Sequence, residues 1–551
     1  MTITEFPAQP RRYQLLLAGI VALYLGHVLL LGYVSDDGYI ALRYVRNFLA
    51  GQGFVYNPGE HVEGYTSFVW VALLGALGRV LPGVALETLA KVVGVVFGVA
   101  AVAATAVATR RLWPNRGWTS LAAATLVAAS TGLAAWATGG LETTLFALTV
   151  ILAAWAYLAD LEAGRHPVAV GALLGLMAMT RPDGMVLAAA AGAHYAVHAW
   201  RTARLAGLGR VALLALGGAV VFGPWLAWRW WYYGWPLPNT YYAKVGSGAA
   251  QYLRGLHYVT GYGRSSGAAV WFLPALALLA LRRDPRRDLL ALLLATHVLY
   301  IVYVGGDGLA FYRFFAYTAP LTAILAAHGL AACAELLRSR HARFVPATGA
   351  ALVAGAAFWS AYGGAAPVLD SARFRWFEPQ SELHFPIAGA GRRYVWFDNY
   401  FVERQAAAAH WLDAHTTGPA LVASTPAGAI AYHSRLDVLD MLGLNDAHIA
   451  HMPIAGLGGG RAGHEKGDGA YVLSRKPAYI LLGNVAVLPF PITDSAMMSR
   501  KLVRRSEQEI WTSPAFHRDY ERVVVRLAEQ GPFQWFTFYR RRDPAPGTRQ
   551  F

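Results

Sequence analysis

Apolar and polar positions divide the chain into two unequal parts. Residues 13–34 form a stretch of 22 residues without a charge, long enough to cross a bilayer. Arg11 and Arg12 precede it, and no small-residue cleavage site follows. It reads as a retained signal anchor with its N-terminus in the cytoplasm. Further apolar stretches fall at 86–109, 118–137, 142–159, 167–180, 184–200, 208–230, 266–281, 288–304, 313–336 and 343–363. Each is read as a crossing, which predicts eleven transmembrane helices. The segment 65–82 stands apart: its uncharged core, 68–78, is short and runs into Arg79, which suits an interfacial or re-entrant helix. Parity supports that reading. Only if 65–82 does not cross do the basic clusters around Arg110, Arg165, Arg201, Arg282 and Arg338 all fall on the cytoplasmic side.

Beyond about residue 370 the pattern changes to short apolar runs between polar turns. Runs at 419–424, 438–442, 479–482, 522–527 and 535–539 read as strands, and 427–432 as the start of a helix after the turn at Thr425-Pro426. The expected architecture is a polytopic α-helical membrane domain over 1–369, with interfacial helices in an outer loop at 35–85. An α/β domain follows over 370–551. An odd number of crossings puts that domain outside the cytoplasm, on a protein of the cytoplasmic (inner) membrane.

Composition agrees. Of 551 residues, 56% are hydrophobic and 14% are charged, against about 25% charged in soluble proteins. The first 369 residues carry +12 of the net +15 charge, so positive charge tracks the apolar part. That fits loops facing membrane lipid and not a nucleic-acid surface. Cys333 is the only cysteine, which excludes a disulfide within the chain. A soluble enzyme, a disulfide scaffold and a disordered chain are all excluded.

The polar residues that interrupt the apolar pattern gather at the outer helix ends. They are Ser35-Asp36-Asp37, Glu63, Glu142, Arg181-Pro182-Asp183, the run from Asn239 to Lys244, and Asp307 with Arg313. Charge at membrane depth is costly and normally faces a cavity or a partner, so these stations predict an outward-opening polar site. Ser35-Asp36-Asp37 also opens an amphipathic helix, with Ile40, Tyr44 and Phe48 on one face and Arg43, Arg46 and Asn47 on another, suited to the membrane surface. One carboxylate suffices for a helix cap; the adjacent one is free for chemistry. Other features are weaker. Gly456–Gly460 lacks the Lys-Ser/Thr of a nucleotide loop and reads as a flexible loop. His448 and His451 have no metal-binding partner motif and read as surface histidines. The aromatic block from Trp225 to Trp235 reads as an interfacial belt, with sugar stacking secondary.

Taken in order, these stretches resemble a known group. The loop Ser35-Asp36-Asp37 … Arg43-Tyr44 … Gly51-Gln52-Gly53 … Asn57-Pro58 … Glu63-Gly64-Tyr65 is similar to the first outer loop of a group of GT-C glycosyltransferases. That group includes the terminal arabinofuranosyltransferase of mycobacterial arabinogalactan and bacterial relatives, some of them named flagellar motor control proteins. The similarity continues through Gly140-Leu141-Glu142, Arg181-Pro182-Asp183-Gly184, Pro238-Asn239 … Lys244, Gly305-Gly306-Asp307-Gly308 … Arg313, and Asp440 … Asp446. It covers most of the chain, and the ordered set is specific where single motifs are not.

The resemblance implies a GT-C fold and transfer of a sugar from a polyprenyl phosphate donor to a cell-surface glycan, or in related enzymes a protein, on the outer membrane face. In the arabinofuranosyl branch the sugar is arabinofuranose. It also implies an essential aspartate in the first outer loop, matching Asp36 or Asp37. Such a transfer needs a base for the acceptor hydroxyl and cations for the departing phosphate. Arg43, Arg181, Lys244 and Arg313 are the candidate cations. Glu142, Asp183 and Asp307 are candidates to orient the sugar or bind a divalent ion, which nothing in the sequence requires, and Glu63 and Asn239 are further substrate-binding candidates. The alternatives are a polyprenyl-phosphate hexosyl transferase acting on protein or lipopolysaccharide, a lipid-linked glycan transporter, and a membrane scaffold without catalysis.

Overall fold

The computed structural model describes residues 11–113, 117–246, 248–265, 284–338, 353–355, 390–543 and 549–550. The predicted crossing at 266–281, and that at 343–363 apart from its three residues 353–355, lie outside them. The chain opens with α1 (Arg11–Leu30), whose leucines at 15, 16, 23 and 29 are exposed, as on a helix bathed in lipid. Next come α2 (Asp36–Leu49) and α3 (Phe68–Val80). The 13 residues of α3 span about 20 Å at 1.5 Å per residue, short of a hydrocarbon core of about 30 Å. Then follow α4 (Leu86–Leu112), α5 (Gly117–Ala128), α6 (Thr131–Ala135), α7 (Thr143–Ala163), α8 (Pro167–Thr180) and α9 (Pro182–Tyr233). The last is two helices merged across a break at Arg204, where φ is 50° and ψ −128°. The helical region continues with α10 (Asn239–Lys244), α11 (Ala249–Ser265), α12 (Pro285–Val304), α13 (Arg313–Ala316) and α14 (Ala319–Arg338).

Against eleven predicted crossings, five helices among the described residues are long and apolar enough to cross a membrane. Four shorter apolar helices accompany them. The predicted crossing at 118–137 is divided: α5 ends at Ala128, and Ser130 starts α6 by accepting a bond from the Leu133 amide. Glycines set the closest helix contacts. A Cβ on Gly171 would stand 1.9 Å from the Leu214 carbonyl, and one on Gly217 would stand 2.0 Å from the Val168 carbonyl. Helices α8 and α9 therefore meet backbone to backbone, as small residues permit in membranes. Gly171→Leu is expected to force them apart and cost about 1–3 kcal/mol or more. The check is a fall in the thermal unfolding midpoint in detergent; an unchanged midpoint would refute this packing.

The C-terminal unit begins with α15 (Ala390–Ala414). It contains β1 (Thr416–Thr417), β2 (Leu421–Ser424), β3 (Asp437–Asp440), β4 (Tyr479–Leu481), β5 (Ala486–Leu488), β6 (Tyr520–Arg526), β7 (Trp535–Arg541) and β8 (Arg549–Gln550). The main sheet runs β3-β2-β4-β7-β5, with β6 pairing the remaining side of β7. Strands β3, β2 and β4 are parallel, and β7 is antiparallel to β4, β5 and β6. Every residue of β4 is buried, as expected of a central parallel strand. All five predicted strands are present. The predicted helix after Thr425-Pro426 is a single turn, α16 (Ala429–Tyr432). Short helices α17 (Ala447–His451), α18 (Gly469–Ser474), α19 (Ser495–Ser499), α20 (Arg505–Thr512) and α21 (Pro514–Asp519) complete the unit.

Helix α2 does not lie on an open surface. It is sandwiched between the membrane helices and the C-terminal unit, and Arg43 and Asn47, predicted for its outer face, are buried. Phe48 is the residue of its apolar face that stays exposed.

Candidate active site

The first outer loop places two adjacent carboxylates differently. Ser35 Oγ donates to the Gly139 carbonyl at 3.0 Å and accepts from the Gly38 amide at 3.1 Å, which pins the start of α2 to the loop before α7. Asp36 then accepts from the Ala429 amide at 2.8 Å and the Gly428 amide at 3.3 Å. Burial pushes its carboxyl up to about 6, opposed by those two bonds and reinforced by the charge of Asp37. Asp36 thus joins α2 to the C-terminal unit. The Asp37 carboxylate has no hydrogen-bond or ion-pair partner among the described residues, and it lines two cavities.

The first cavity, about 1030 Å³ and open to solvent, is lined by Asp37, Glu142, Arg181, Lys244, Asp307 and Arg313, with Tyr65, Tyr241 and Tyr300 among its aromatic walls. Six of the eleven residues singled out in the sequence therefore meet in one place. Arg181 is paired with Glu142 and, at 2.8 Å, with Asp183, and its guanidinium lies 4.5 Å from the Tyr317 ring centre. Asp183 is behind that arginine: one carboxylate oxygen is buried without a partner. Arg313 pairs with Asp307 at 2.8 Å and sits over Trp136 at 5.2 Å. It follows Phe311 and Tyr312, whose φ values of 59° and 47° are left-handed. That conformation costs roughly 1–2 kcal/mol per residue, a strain typical of functional loops. Lys244 has no ion-pair partner among the described residues, so it is the cation in this cavity whose charge remains uncompensated.

Three expected contacts fall elsewhere. Arg43 is 1% exposed and donates to the carbonyls of Tyr56, Ala431, Ser434 and Leu436 at 2.8–3.2 Å. Its donors are occupied by protein, which corrects the expectation of a phosphate contact. Asn239 donates to the carbonyls of Gly443, Leu444 and Asp446, and Glu63 forms a buried pair with Arg229 at 2.6 Å. Asn239 holds backbone and Glu63 holds a side chain, and neither lines the cavity, which corrects their expected part in substrate binding. Arg229 lies inside the aromatic block and was missed, since Trp and Tyr dominate that stretch. Within the block, Trp230, Trp231 and Trp235 are exposed while Trp228 packs on Phe68.

The loop at Gly456–Gly460 is ordered, contrary to the sequence reading: Glu465 accepts from the amides of Gly458 and Gly460 at 2.9 and 2.6 Å and pairs with Arg254 at 3.0 Å. His448 is half exposed and contacts Asp468 at 3.0 Å. Among the described residues no group of three or more His, Cys, Asp or Glu side chains is placed to hold a metal ion.

The second cavity, of about 980 Å³, lies between the first outer loop and the C-terminal unit and is lined by Asp36, Asp37, Asp398, Arg404, Arg461, His464 and Arg504. None of the last five was singled out in the sequence.

Comparison with solved structures sets this arrangement in context. The crystal structure of ArnT from Cupriavidus metallidurans bound to undecaprenyl phosphate superposes with a TM-score of 0.54 at 12% identity, covering 96% of this chain and 97% of that one. The apo form of the same protein gives 0.51 at 13% identity, with the same coverage. The chain has the fold of ArnT. Residues 397–541 match a domain of unknown function, DUF8728. The terminal β-(1→2)-arabinofuranosyltransferase of Mycobacterium tuberculosis is 30% identical over 246 residues, 42% of this chain and 38% of that protein. The protein of the same name from Corynebacterium glutamicum is 53% identical over 55 residues, 10% of this chain and 8% of that one. The alignments thus span well under half the length of these curated relatives. Their names match the group that the ordered motifs resemble, and the ArnT fold with its apolar helices makes this a membrane protein.

Proposed function

We propose that the chain is a glycosyltransferase that moves a sugar, arabinofuranose, from a polyprenyl phosphate to a cell-surface glycan at the outer face of the cytoplasmic membrane. The carrying observation is Asp37: a carboxylate with no partner among the described residues, on the wall between two cavities that both hold cations. In this reading the donor occupies the first cavity. Its phosphate meets Lys244, whose charge is otherwise uncompensated, with Arg181 and Arg313 behind. Undecaprenyl phosphate bound to ArnT and the names of the curated relatives support a donor of this class and the arabinose. The acceptor hydroxyl attacks the anomeric carbon, the bond from that carbon to the phosphate oxygen breaks, and the hydroxyl proton passes to Asp37. The polyprenyl phosphate leaves as an anion that the cations stabilise. Eleven crossings, with the C-terminal unit outside, would put both cavities at the outer membrane face.

The test is transfer by purified full-length protein in nanodiscs, from a short-chain polyprenylphosphoryl arabinofuranose to a panel of glycans. Transfer is expected, with Lys244→Gln raising the donor KM about tenfold or more, in line with the worth of one charge-assisted contact. Transfer from a hexosyl donor and none from arabinose would overturn the sugar; silence with every donor would overturn the class.

A further inference from the structure

The second cavity has a basic wall. Arg404 comes from α15, Arg461 follows the glycine-rich loop, and Arg504 starts α20. Arg404 Nη2 donates to the Asn484 carbonyl at 2.8 Å, and Arg461 Nη2 to the Gly308 carbonyl at 3.2 Å. The Nε atoms of Arg404 and Arg504 are buried without a hydrogen-bond partner. Neither guanidinium makes an ion pair among the described residues.

The carboxylates nearest to them are committed to backbone: Asp36, which acts on Arg404, accepts two amides, and Glu507, which acts on Arg504, accepts those of Asn484 and Arg504 itself. Burial lowers Arg404 to about 10, and burial with the nearby Arg461 charge lowers Arg504 to about 10. His464, buried beside Arg461 and Arg504, is pushed well down and is neutral. Across the cavity Asp36 is tied to two amides, and burial beside Asp36 and Asp37 drives Asp398 up towards its neutral form. A buried guanidinium with an unused donor is costly unless an anion completes it. An uncharged glycan supplies none. The donor phosphate has its own cations on the other side of Asp37.

Resting on the transferase reading above, we infer that the second cavity is an acceptor subsite for a sugar bearing an oxyanion, a phosphate or a carboxylate, gripped by Arg404 and Arg504. The planar fork of arginine suits either group. An anion held there leaves the rest of the acceptor beside Asp37, which lines the same cavity.

Calorimetry with full-length protein in nanodiscs tests this, using three probes of equal length: a phosphorylated oligosaccharide, one ending in a uronate, and the uncharged parent. At least one anionic probe is expected to bind about tenfold more tightly than the parent, and which one identifies the group. That preference is expected to collapse in Arg504→Gln and in Arg404→Gln and to survive in part in Arg504→Lys. Equal binding of all three probes by the unmodified protein would overturn the inference, whether or not the variants fold. So would a loss of polyprenyl phosphate affinity in the variants as large as the loss for the anionic glycan, which would make these arginines donor ligands. Transfer to the uncharged parent, measured in parallel, reports on the transferase reading separately, because probe binding does not require turnover.

Discussion

Asp37→Asn is expected to lower kcat by roughly 10²–10⁴-fold, the usual worth of a general base, while polyprenyl phosphate still binds and the unfolding midpoint stays unchanged. The amide is nearly isosteric and removes no folded-state bond, because the carboxylate has no partner among the described residues. Asp36→Asn should behave differently. Its side chain accepts amides from Gly428 and Ala429 across the seam between the loop and the C-terminal unit, so that variant should lose stability along with activity. Single-turnover transfer assays with thermal unfolding of both variants separate the two roles. If Asp36→Asn abolished turnover with an unaltered midpoint and Asp37→Asn turned over normally, the roles would be reversed.

Arg43→Met should cost about 3–5 kcal/mol, comparable to breaking other buried charged networks. It leaves four buried carbonyls, those of Tyr56, Ala431, Ser434 and Leu436, without their charged donor. Arg43→Lys should recover little, because an ammonium does not reproduce the fork of a guanidinium. Tryptophan fluorescence during heating measures the effect. A normal melting curve with a selective loss of polyprenyl phosphate affinity would restore Arg43 to the donor site and disprove the structural role.

What could be read in advance follows from how rare each signal is in its surroundings. Glu142, Arg181, Asp307 and Arg313 interrupt long apolar runs, where charge needs a reason, and all four line one cavity. Lys244 and Asp37 were found the same way. Arg43 and Asn239 gave an equally clear signal with the wrong meaning. A charge that bonds only backbone carbonyls leaves no pattern in the sequence, since its partners can be any residue type. Asp398, Arg404, Arg461 and Arg504 lie in a unit where charged residues are ordinary, and only the fold buries them together. The strands were legible because short apolar runs between turns have few other solutions. Among the described residues five helices are long enough to cross against the eleven expected over the whole chain, in part because breaks such as the one at Ser130 turn one apolar stretch into two short helices.

The clamp at Arg43 has a consequence for how the protein is made. Its partners Ala431 and Ser434 lie 388 and 391 residues later in the chain. At about 5–20 residues per second, a ribosome needs roughly 20–80 s to reach them. Throughout that interval the Arg43 guanidinium and the Asp36 carboxylate lack the carbonyls and amides that they bond in the folded protein. A nascent chain is therefore inert until its last third arrives. Any factor that delays synthesis of that last third leaves behind a precursor that is incomplete and exposed to proteolysis.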